Sequence, residues 1–351
     1  MDDADAEDSL NAYGWDAIDA ALQPLYGTQE PRHWGPVMPW ALGGPDPIRG
    51  ISAYRSDHGQ SHLHYVTYGI SELYEKESDD PDVSGYGFEL TFRLARDASQ
   101  EPPNWVLNFL QNLGRYVFQS GHAFGVGHTL SLNGPIEVGS DTQISAITFG
   151  LDPELGRIET PNGRVDFLQI VGLADKELDA VQYWNAERFL ELVGERNPLW
   201  ITDTTRQSLL ADPGFRSQVE RFTAEEGASC PALYSENVRF TSDGQTCRLI
   251  LGAIVTPDLS RRLAGRIPYC RDFTVYADEV AICFEPGESF RIQLEVNGLT
   301  LAIPLALLDR FRGMLAETAG IYRDTELPGL TIVVEKTEIT DRDGNVTEIR
   351  G

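Results

Sequence analysis

The chain has 351 residues, of which 41% are hydrophobic and 10% aromatic, a composition typical of a globular protein with about two domains. Its formal net charge of −26 disfavours binding to a nucleic-acid backbone or an anionic membrane, because both ligands demand basic patches. No apolar run approaches the ~20 residues of a membrane span, and the acidic start MDDADAEDSL is the reverse of a secretory signal, so we expect a cytoplasmic protein.

Hydrophobic spacing in the N-terminal part predicts a mixture of helices and strands. Apolar residues recur at helical spacing from Trp15 to Leu25 and predict a first helix over roughly residues 10–26. The stretch GFELTFRLAR (87–96) alternates apolar and polar residues, which predicts a half-buried antiparallel strand. The other elements predicted here are a strand at 64–74, a helix that Gly121 ends, a strand HTLSL from His128, strands at 146–151 and 165–173, and a helix from Asp175 to Leu192.

The C-terminal third predicts strands with one helix at 304–318. Because strands and helices do not alternate as regular βαβ units, the expected fold class is α+β, with a mixed or antiparallel sheet packed with helices in each of two domains. We place the domains at 1–228 and 229–351, where a polar stretch ends. The four cysteines form no CxxC pair, and we predict buried free thiols. The predicted strands of this part cover 248–255, 273–277, 279–285, 289–296 and 330–339.

Two histidine-containing segments raise the question of catalysis or metal binding. In GHAFGVGH (121–128) the glycines follow a helix and precede a strand, which excludes a phosphate cradle, because such cradles lead into a helix N-terminus. Neither this loop nor HGQSHLH (58–64) has an HExxH helix, and no acidic residue lies between or beside His62 and His64 to complete a ligand set. We therefore expect no catalytic residue, metal or cofactor, with a metal-dependent hydrolase built on 58–64 as the enzymatic alternative.

Several strings, taken in order, resemble the Suppressor of fused family. GRIPYCRDFTVY and FRIQLEV resemble its second domain, and the long Ser-rich insertion of the animal members is almost wholly missing, so the chain resembles a compact bacterial form. The N-terminal strings span roughly residues 13–203 and are WALGGPDPIRGISAYR, HYVTYGISELYE, SGYGFELTFRL, PPNW followed by LQNLGRYVFQSG, and TPNGRVDFLQIVGL.

The resemblance implies a non-enzymatic two-domain protein with a partner cleft between its domains. Animal members of the family clamp a short extended peptide of a Gli-type transcription factor there as an added β-strand. Bacterial members as a group are regarded as immunity proteins that neutralise polymorphic toxins. The function predicted first is therefore an immunity protein whose acidic surface masks a basic toxin domain. The alternative is a regulatory scaffold that clamps a linear peptide. In both cases the partner is a protein and not a nucleic acid or a membrane.

The resemblance also assigns five candidate partner-binding residues. Tyr116, near a helix end, matches a tyrosine that lines the animal cleft, and Asp152 matches an acidic position of the same cleft. Phe124 and His128 belong to the loop at the lip of the cleft, and His128 stands where the animal family has an aspartate. Asp272 stands where the second domain has a histidine. Since the two charges are exchanged, we expect His128 and Asp272 to face each other.

Overall fold

The computed structural model describes residues 11–96, 101–244, 246–278, 280–341 and 344–351, and it divides the chain into two compact units. The first unit comprises the described residues up to Asp179 together with Ala186–Pro213. The second comprises Ala180–Asn185 together with the described residues from Gly214 onward. Both units contain helices and mixed sheets, which confirms the α+β class.

The helix at Pro213–Glu226 belongs, from Gly214 onward, to the second unit. The domain boundary expected from the sequence lies after this helix, at residue 228. Two hydrogen bonds within the second unit show why. The Trp184 indole donates to the Glu226 carboxylate at 2.9 Å, and the Tyr269 hydroxyl donates to the Ala224 carbonyl at 2.6 Å. Such contacts join residues far apart in the sequence, and a polar sequence stretch does not reveal them.

The first unit is built on one eight-stranded sheet. Its order is β1-β2-β3-β4-β8-β6-β5, with β7 also pairing β8, and only the β4–β8 pair is parallel. The strands are β1 (Arg32–Trp34), β2 (Gly50–Ser56), β3 (His62–Tyr68), β4 (Val83–Ala95), β5 (Thr129–Ser131), β6 (Ile144–Leu151), β7 (Arg157–Thr160) and β8 (Gly163–Ala174). The helices up to Gly194 are α1 (Tyr13–Tyr26), α2 (Asn104–Ser120), α3 (Asp175–Tyr183) and α4 (Ala186–Gly194).

Helices α1 and α2 cover opposite faces of this sheet. Neighbouring strand residues point to opposite faces, and Tyr65 and Val66 of β3 belong to two different apolar clusters. Tyr65 packs in the cluster that contains Val106 and Leu110 of α2, whereas Val66 packs in the cluster of Ile18 in α1. The sheet therefore has no solvated face over its central strands.

The strand predicted at 87–96 corresponds to the C-terminal part of β4, and the prediction that it is half-buried is wrong. β4 lies between β3 and β8, and it pairs antiparallel with β3, as expected, but parallel with β8. Its polar residues Glu89, Thr91 and Arg93 have no exposed surface. Alternation predicts a solvated polar face, but here α1 covers that face and the polar side chains bond to neighbouring segments. Glu89 bonds to Thr67 and Ser71, and both Thr91 and Arg93 bond to Asp152.

Other sequence predictions of this part differ from the structure mainly at element ends. The helix ended by Gly121 is α2, and Gly121 has the left-handed φ of 71° typical of a glycine after a helix. The single helix predicted from Asp175 to Leu192 is instead two helices, since α3 ends at Tyr183 and α4 begins at Ala186. The completely buried Trp184 lies between them.

The second unit contains two larger sheets and a hairpin around one apolar core. The four-stranded sheet has the order β10-β11-β17-β16, the five-stranded sheet has the order β14-β15-β13-β12-β9, and β18 pairs with β19. The strands are β9 (Ala232–Tyr234), β10 (Val238–Ser242), β11 (Cys247–Gly252), β12 (Phe273–Tyr276), β13 (Ala281–Pro286), β14 (Arg291–Glu295), β15 (Gly298–Ile303), β16 (Gly320–Tyr322), β17 (Leu330–Glu335), β18 (Thr337–Thr340) and β19 (Val346–Arg350). The helices are α5 (Pro213–Glu226), α6 (Thr256–Arg266) and α7 (Leu308–Gly313).

The sequence analysis found five strands of the second unit but missed α6. This helix buries Leu259 and Leu263 in the core and carries three arginines, whose polarity masked the helical pattern. All four cysteines are free, as predicted, but Cys270 is exposed. The prediction of a buried thiol is wrong there, because Cys270 ends a short 3-10 helix at Ile267–Tyr269 in a left-handed conformation with φ 55°.

Candidate functional site

Three aromatic rings lead from the core of the first unit to its surface near the end of α2. The buried Phe149 ring of β6 stacks on Phe124 with centroids 4.5 Å apart, and Phe124 stacks on Tyr116 at 5.4 Å. Phe149 has no exposed surface, Phe124 is half-buried, and Tyr116 is 45% exposed. The stack fixes the position of an exposed tyrosine, which can offer both a ring face and a hydroxyl to a partner.

The glycine loop that carries Phe124 is tied to β6 by main-chain hydrogen bonds. Gly127 N donates to Phe149 O at 2.8 Å, and Phe149 N donates to His128 O at 3.1 Å. Gly127 adopts a φ of 82°, a conformation that favours glycine. As a result the exposed His128 side chain lies directly before β5, the last strand at one end of the sheet.

Strand β5 leaves part of its main chain unpaired on its outer edge. In the β5–β6 register Leu130 lies opposite Ile147, His128 O accepts from Phe149 N, and Leu132 N donates to Ser145 O at 2.9 Å. Antiparallel pairs alternate between hydrogen-bonded and non-hydrogen-bonded positions, so Thr129 and Ser131 direct N–H and C=O away from β6.

No residue within the described ranges forms a hydrogen bond with the Thr129 or Ser131 main chain on that side. An edge of this kind is a template for another strand.

Four of the five residues proposed from the sequence are therefore located on accessible or partly accessible surface. Tyr116, Phe124 and His128 lie together around the start of β5 in the first unit. Asp272 is exposed at the start of β12 in the second unit. The pairing of His128 with Asp272 stays a prediction.

Asp152 has a different environment from the one inferred by resemblance. Its carboxylate has no exposed surface and accepts hydrogen bonds from Thr91 Oγ1 at 2.7 Å and from the main-chain N–H groups of Glu154 and Leu155 at 2.9 and 3.0 Å. It also forms a two-point ion pair with Arg93, at 2.6 and 3.1 Å. With its oxygens engaged in the interior, Asp152 is not included in the binding surface that we propose.

Arg93 joins several elements through this buried ion pair. Its guanidinium also donates to Glu154 Oε2 at 2.8 Å and to Gln169 Oε1 of β8. Gln169 in turn donates to the main-chain carbonyl of Leu199 at 2.7 Å. Burial alone would raise the pKa of Asp152, but contact with His64 and the charge and hydrogen bonds of Arg93 hold it well below its usual range. The sequence analysis missed Arg93, because an arginine in an alternating strand is typical of a solvated face.

The histidines at 58–64 form part of the same interior network and its rim. Tyr26 Oη lies 2.7 Å from His64 Nδ1, and His64 Nε2 lies 3.4 Å from Asp152 Oδ2. His62 Nδ1 contacts the Gln60 carbonyl at 2.6 Å, while the exposed His58 bonds to Glu154 at 2.8 Å. Within the described ranges, no three His, Cys, Asp or Glu side chains are grouped so that they could hold a metal ion. Each of these histidines has a polar contact within the protein.

Replacing Asp152 by asparagine should destabilise the protein by roughly 3 kcal/mol, because it leaves the completely buried Arg93 charge without its main counter-ion. The matched control is Asp166→Asn, which removes the partner of the half-exposed Arg157 and should cost much less, because solvent screens an exposed ion pair. Free energies of unfolding from urea titrations measure both. Equal losses in the two variants would contradict the structural importance of the buried pair.

Stability should also depend on His64 between about pH 6.5 and pH 4. Burial and the Arg93 charge lower the pKa of His64 from 6.5 to about 4. The unfolded chain takes up a proton below 6.5 and the folded protein does not until about 4. Stability is therefore lost as the pH falls through this window, by up to about 3 kcal/mol.

The measurement is the free energy of unfolding at several pH values for wild type and His64→Phe. The variant should show a smaller decrease toward low pH, since it lacks the group that titrates. His122→Gln, at an exposed loop position, is the control and should follow the wild type. An unchanged slope in His64→Phe would rule out His64 as the source.

Comparisons with known proteins agree with this architecture. The family model for Suppressor of fused protein matches residues 44–207. The Suppressor of fused homolog of Homo sapiens is 35% identical over 278 residues, which are 72% of this chain and 56% of the human protein. The homolog of Mus musculus is 35% identical over 236 residues, 62% of this chain and 48% of the mouse protein. The chain thus spans about half the length of the curated relatives it matches.

Solved structures extend the likeness to the fold. The crystal structure of Drosophila Suppressor of Fused superposes with a TM-score of 0.80 over 93% of this chain and 97% of that chain, at 22% identity. A chain of the Sufu-Fu complex crystal structure superposes with a TM-score of 0.55 over 60% of this chain and 98% of its own length, at 31% identity. None of the helices in the described part of the chain has the length and apolar character that a membrane crossing requires. The chain belongs to the Suppressor of fused family.

Proposed function

We propose that the protein binds a partner protein by accepting an extended segment of that partner as an added strand along β5. The observation that carries the proposal is the outward-directed main chain of Thr129 and Ser131, which no described residue bonds. Strand addition uses such groups for affinity and nearby side-chain surfaces for specificity. The proposed function needs no catalytic residue.

The side chains beside this edge supply recognition chemistry. Tyr116 presents a half-exposed ring that the Phe124 and Phe149 stack supports, and tyrosine is enriched among residues that dominate binding energy. His128 adds a side chain with hydrogen-bonding nitrogens next to the first outward-directed residue. A relative at 31% identity was crystallised as a Sufu-Fu complex, which supports protein binding as the general function.

A proline at position 131 tests the edge directly. Ser131→Pro removes an outward-directed N–H without removing a β5–β6 hydrogen bond, and proline is tolerated on edge strands. Ser131→Ala is the matched control, since both variants lose the Ser131 hydroxyl that accepts from Asn133 N at 3.3 Å. Tagged wild type and both variants are used for affinity purification from cells of the source organism, with recovered proteins quantified by mass spectrometry.

We expect wild type and Ser131→Ala to recover similar amounts of a partner, and Ser131→Pro to recover about tenfold less. A loss of this size follows from one missing main-chain hydrogen bond and from the bulk of the proline ring. Circular dichroism confirms that both variants are folded. Tyr116→Ala and Asp272→Ala in the same experiment show whether each residue contributes. A partner that Ser131→Pro retains at the wild-type level is not bound along this edge.

The second candidate function is neutralisation of a basic toxin domain, which the net charge of −26 favours. A charge of this size attracts cationic proteins over long range and accelerates association. The alternative is that the negative charge serves only to solvate the protein surface.

Growth measurements distinguish the two roles of the charge. A toxin encoded next to the gene for this chain should inhibit the growth of cells, and co-expression of this chain should restore that growth. An unrelated acidic protein of similar charge is the control. Failure to restore growth, with both proteins present at comparable levels, would reject the immunity function. It would not contradict the proposal of strand addition along β5.

A further inference from the structure

A cavity lies in the first unit, away from the β5 edge. It has a volume of about 520 Å³ and is lined by the 40–49 loop, the turn at 69–78, the start of β4 and the end of α2. Phe118 of α2 forms one wall, two residues after Tyr116. Residues two positions apart in an α-helix differ by about 200° around its axis, so Tyr116 and Phe118 point in different directions. The cavity and the β5 edge are therefore separate surfaces.

The cavity has an aromatic wall that only partly excludes solvent. The Phe118 ring packs against Tyr86 with centroids 5.1 Å apart and against the edge of Trp40 at 6.0 Å. Trp40 is 38% exposed, although it is large and apolar. Three contiguous rings provide the surface that an aromatic side chain or a guanidinium group of a ligand packs against.

A buried carboxylate holds the opposite wall in place. Glu89 Oε1 accepts hydrogen bonds from the main-chain N–H groups of Gly69, Ile70 and Ser71 at 2.8, 3.1 and 2.9 Å. It also accepts one from Ser71 Oγ at 2.6 Å. Glu89 is completely buried, so these bonds fix the turn that lines the cavity. A wall held in this way is formed before any ligand binds, which lowers the entropy cost of binding.

The charged groups of the lining are mainly acidic. Glu72 is engaged internally, because its carboxylate accepts from two main-chain N–H groups and lies 3.2 Å from Lys76 Nζ. Glu75 and Glu77 are exposed, and neither forms an ion pair with a residue in the described part of the chain. Among the described residues of the lining, Arg49 is the one cation, and it packs over the Tyr74 ring at 5.4 Å. Two solvent-facing carboxylates therefore remain available to a basic ligand.

The segment that carries Trp40 also has exposed apolar side chains. Val37 and Leu42 are largely exposed, and Met38 is about half exposed, all within three residues of Trp40 in the sequence. An enclosed small-molecule site would not need such a surface, whereas a protein partner would cover it on binding. Together with the carboxylates, this segment indicates a polypeptide ligand with apolar and basic residues.

We propose that this cavity is a second partner-binding site, which takes an aromatic side chain flanked by arginine or lysine from a segment of a partner protein. The aromatic side chain packs against Trp40, Phe118 and Tyr86, and the flanking basic groups pair with Glu75 and Glu77. The inference rests on the proposed function of protein binding but not on strand addition at β5.

Fluorine NMR of the full chain labelled with 5-fluorotryptophan tests the proposal. Trp40→Phe assigns the Trp40 resonance among the six tryptophans. The probe is the synthetic peptide acetyl-Gly-Arg-Phe-Arg-Gly-amide, and the two matched controls replace its Phe by Ser or both Arg by Glu. The first peptide should shift the Trp40 resonance saturably, the Ser peptide should not, and the Glu peptide should bind at least about fivefold more weakly.

Variants identify the residues that bind the peptide and separate the two sites. Phe118→Ala should abolish the saturable shift, and Glu75→Gln combined with Glu77→Gln should weaken binding about fivefold. Val138→Ala, at an exposed position outside the cavity lining, is the control and should leave the peptide affinity unchanged. Tyr116→Ala and Ser131→Pro should leave the peptide affinity unchanged, so that failure at β5 and failure at this cavity are distinguishable.

Three results would overturn the proposal. One is the lack of a Trp40 shift at millimolar Arg-Phe-Arg peptide in folded wild type. Another is equal or tighter binding of the Glu peptide, which would mean that Arg49 recognises an anion. The third is an unchanged affinity in a folded Phe118→Ala variant, which would place the peptide elsewhere.

Discussion

The interior of the first unit depends on one constraint, the neutralisation of a guanidinium that has no contact with solvent. Arg93 lies on the central strand β4, and its partners come from the residues after β6 and from β8. Unpaired, such a charge would cost several kcal/mol, so these elements must come together for the domain to fold. The parallel β4–β8 pair and the adjacent β6 follow from this arrangement, and β6 in turn positions β5 and its open edge.

Helix α2 connects this interior to both surfaces that we propose for binding. Its apolar stripe, with Val106 and Leu110, packs on the sheet, while its last turn carries Tyr116 and Phe118 toward different surfaces. Each aromatic residue is supported by a ring from the sheet or its loops. A rigid core with exposed aromatic residues at its margin loses little conformational entropy when a partner binds.

Helices and strands with one apolar face could be predicted from the local spacing of hydrophobic residues. Elements whose polar residues are buried by neighbouring elements could not. Helix α2 was predicted because a helix packed on one side keeps an apolar stripe of period 3.6. Strand β4 was predicted in position but not in environment, since alternation cannot show that a second layer covers the polar face. Helix α6 was missed because its arginines make it polar, although Arg262 pairs with Asp258 of the same helix and Arg266 donates to the Ala228 carbonyl that folding brings near.

The α+β class and the family could be predicted from the sequence alone, because they follow from local patterns and from strings of residues. The same strings made the region around Tyr116, Phe124 and His128 a candidate for partner binding. Only the tertiary structure showed that Asp152 is an interior counter-ion, that Thr129 and Ser131 direct main-chain groups outward, and that Trp40 and Phe118 share a cavity. Burial, strand register and contacts between distant segments depend on which elements pack together, and a local pattern contains no information about that choice.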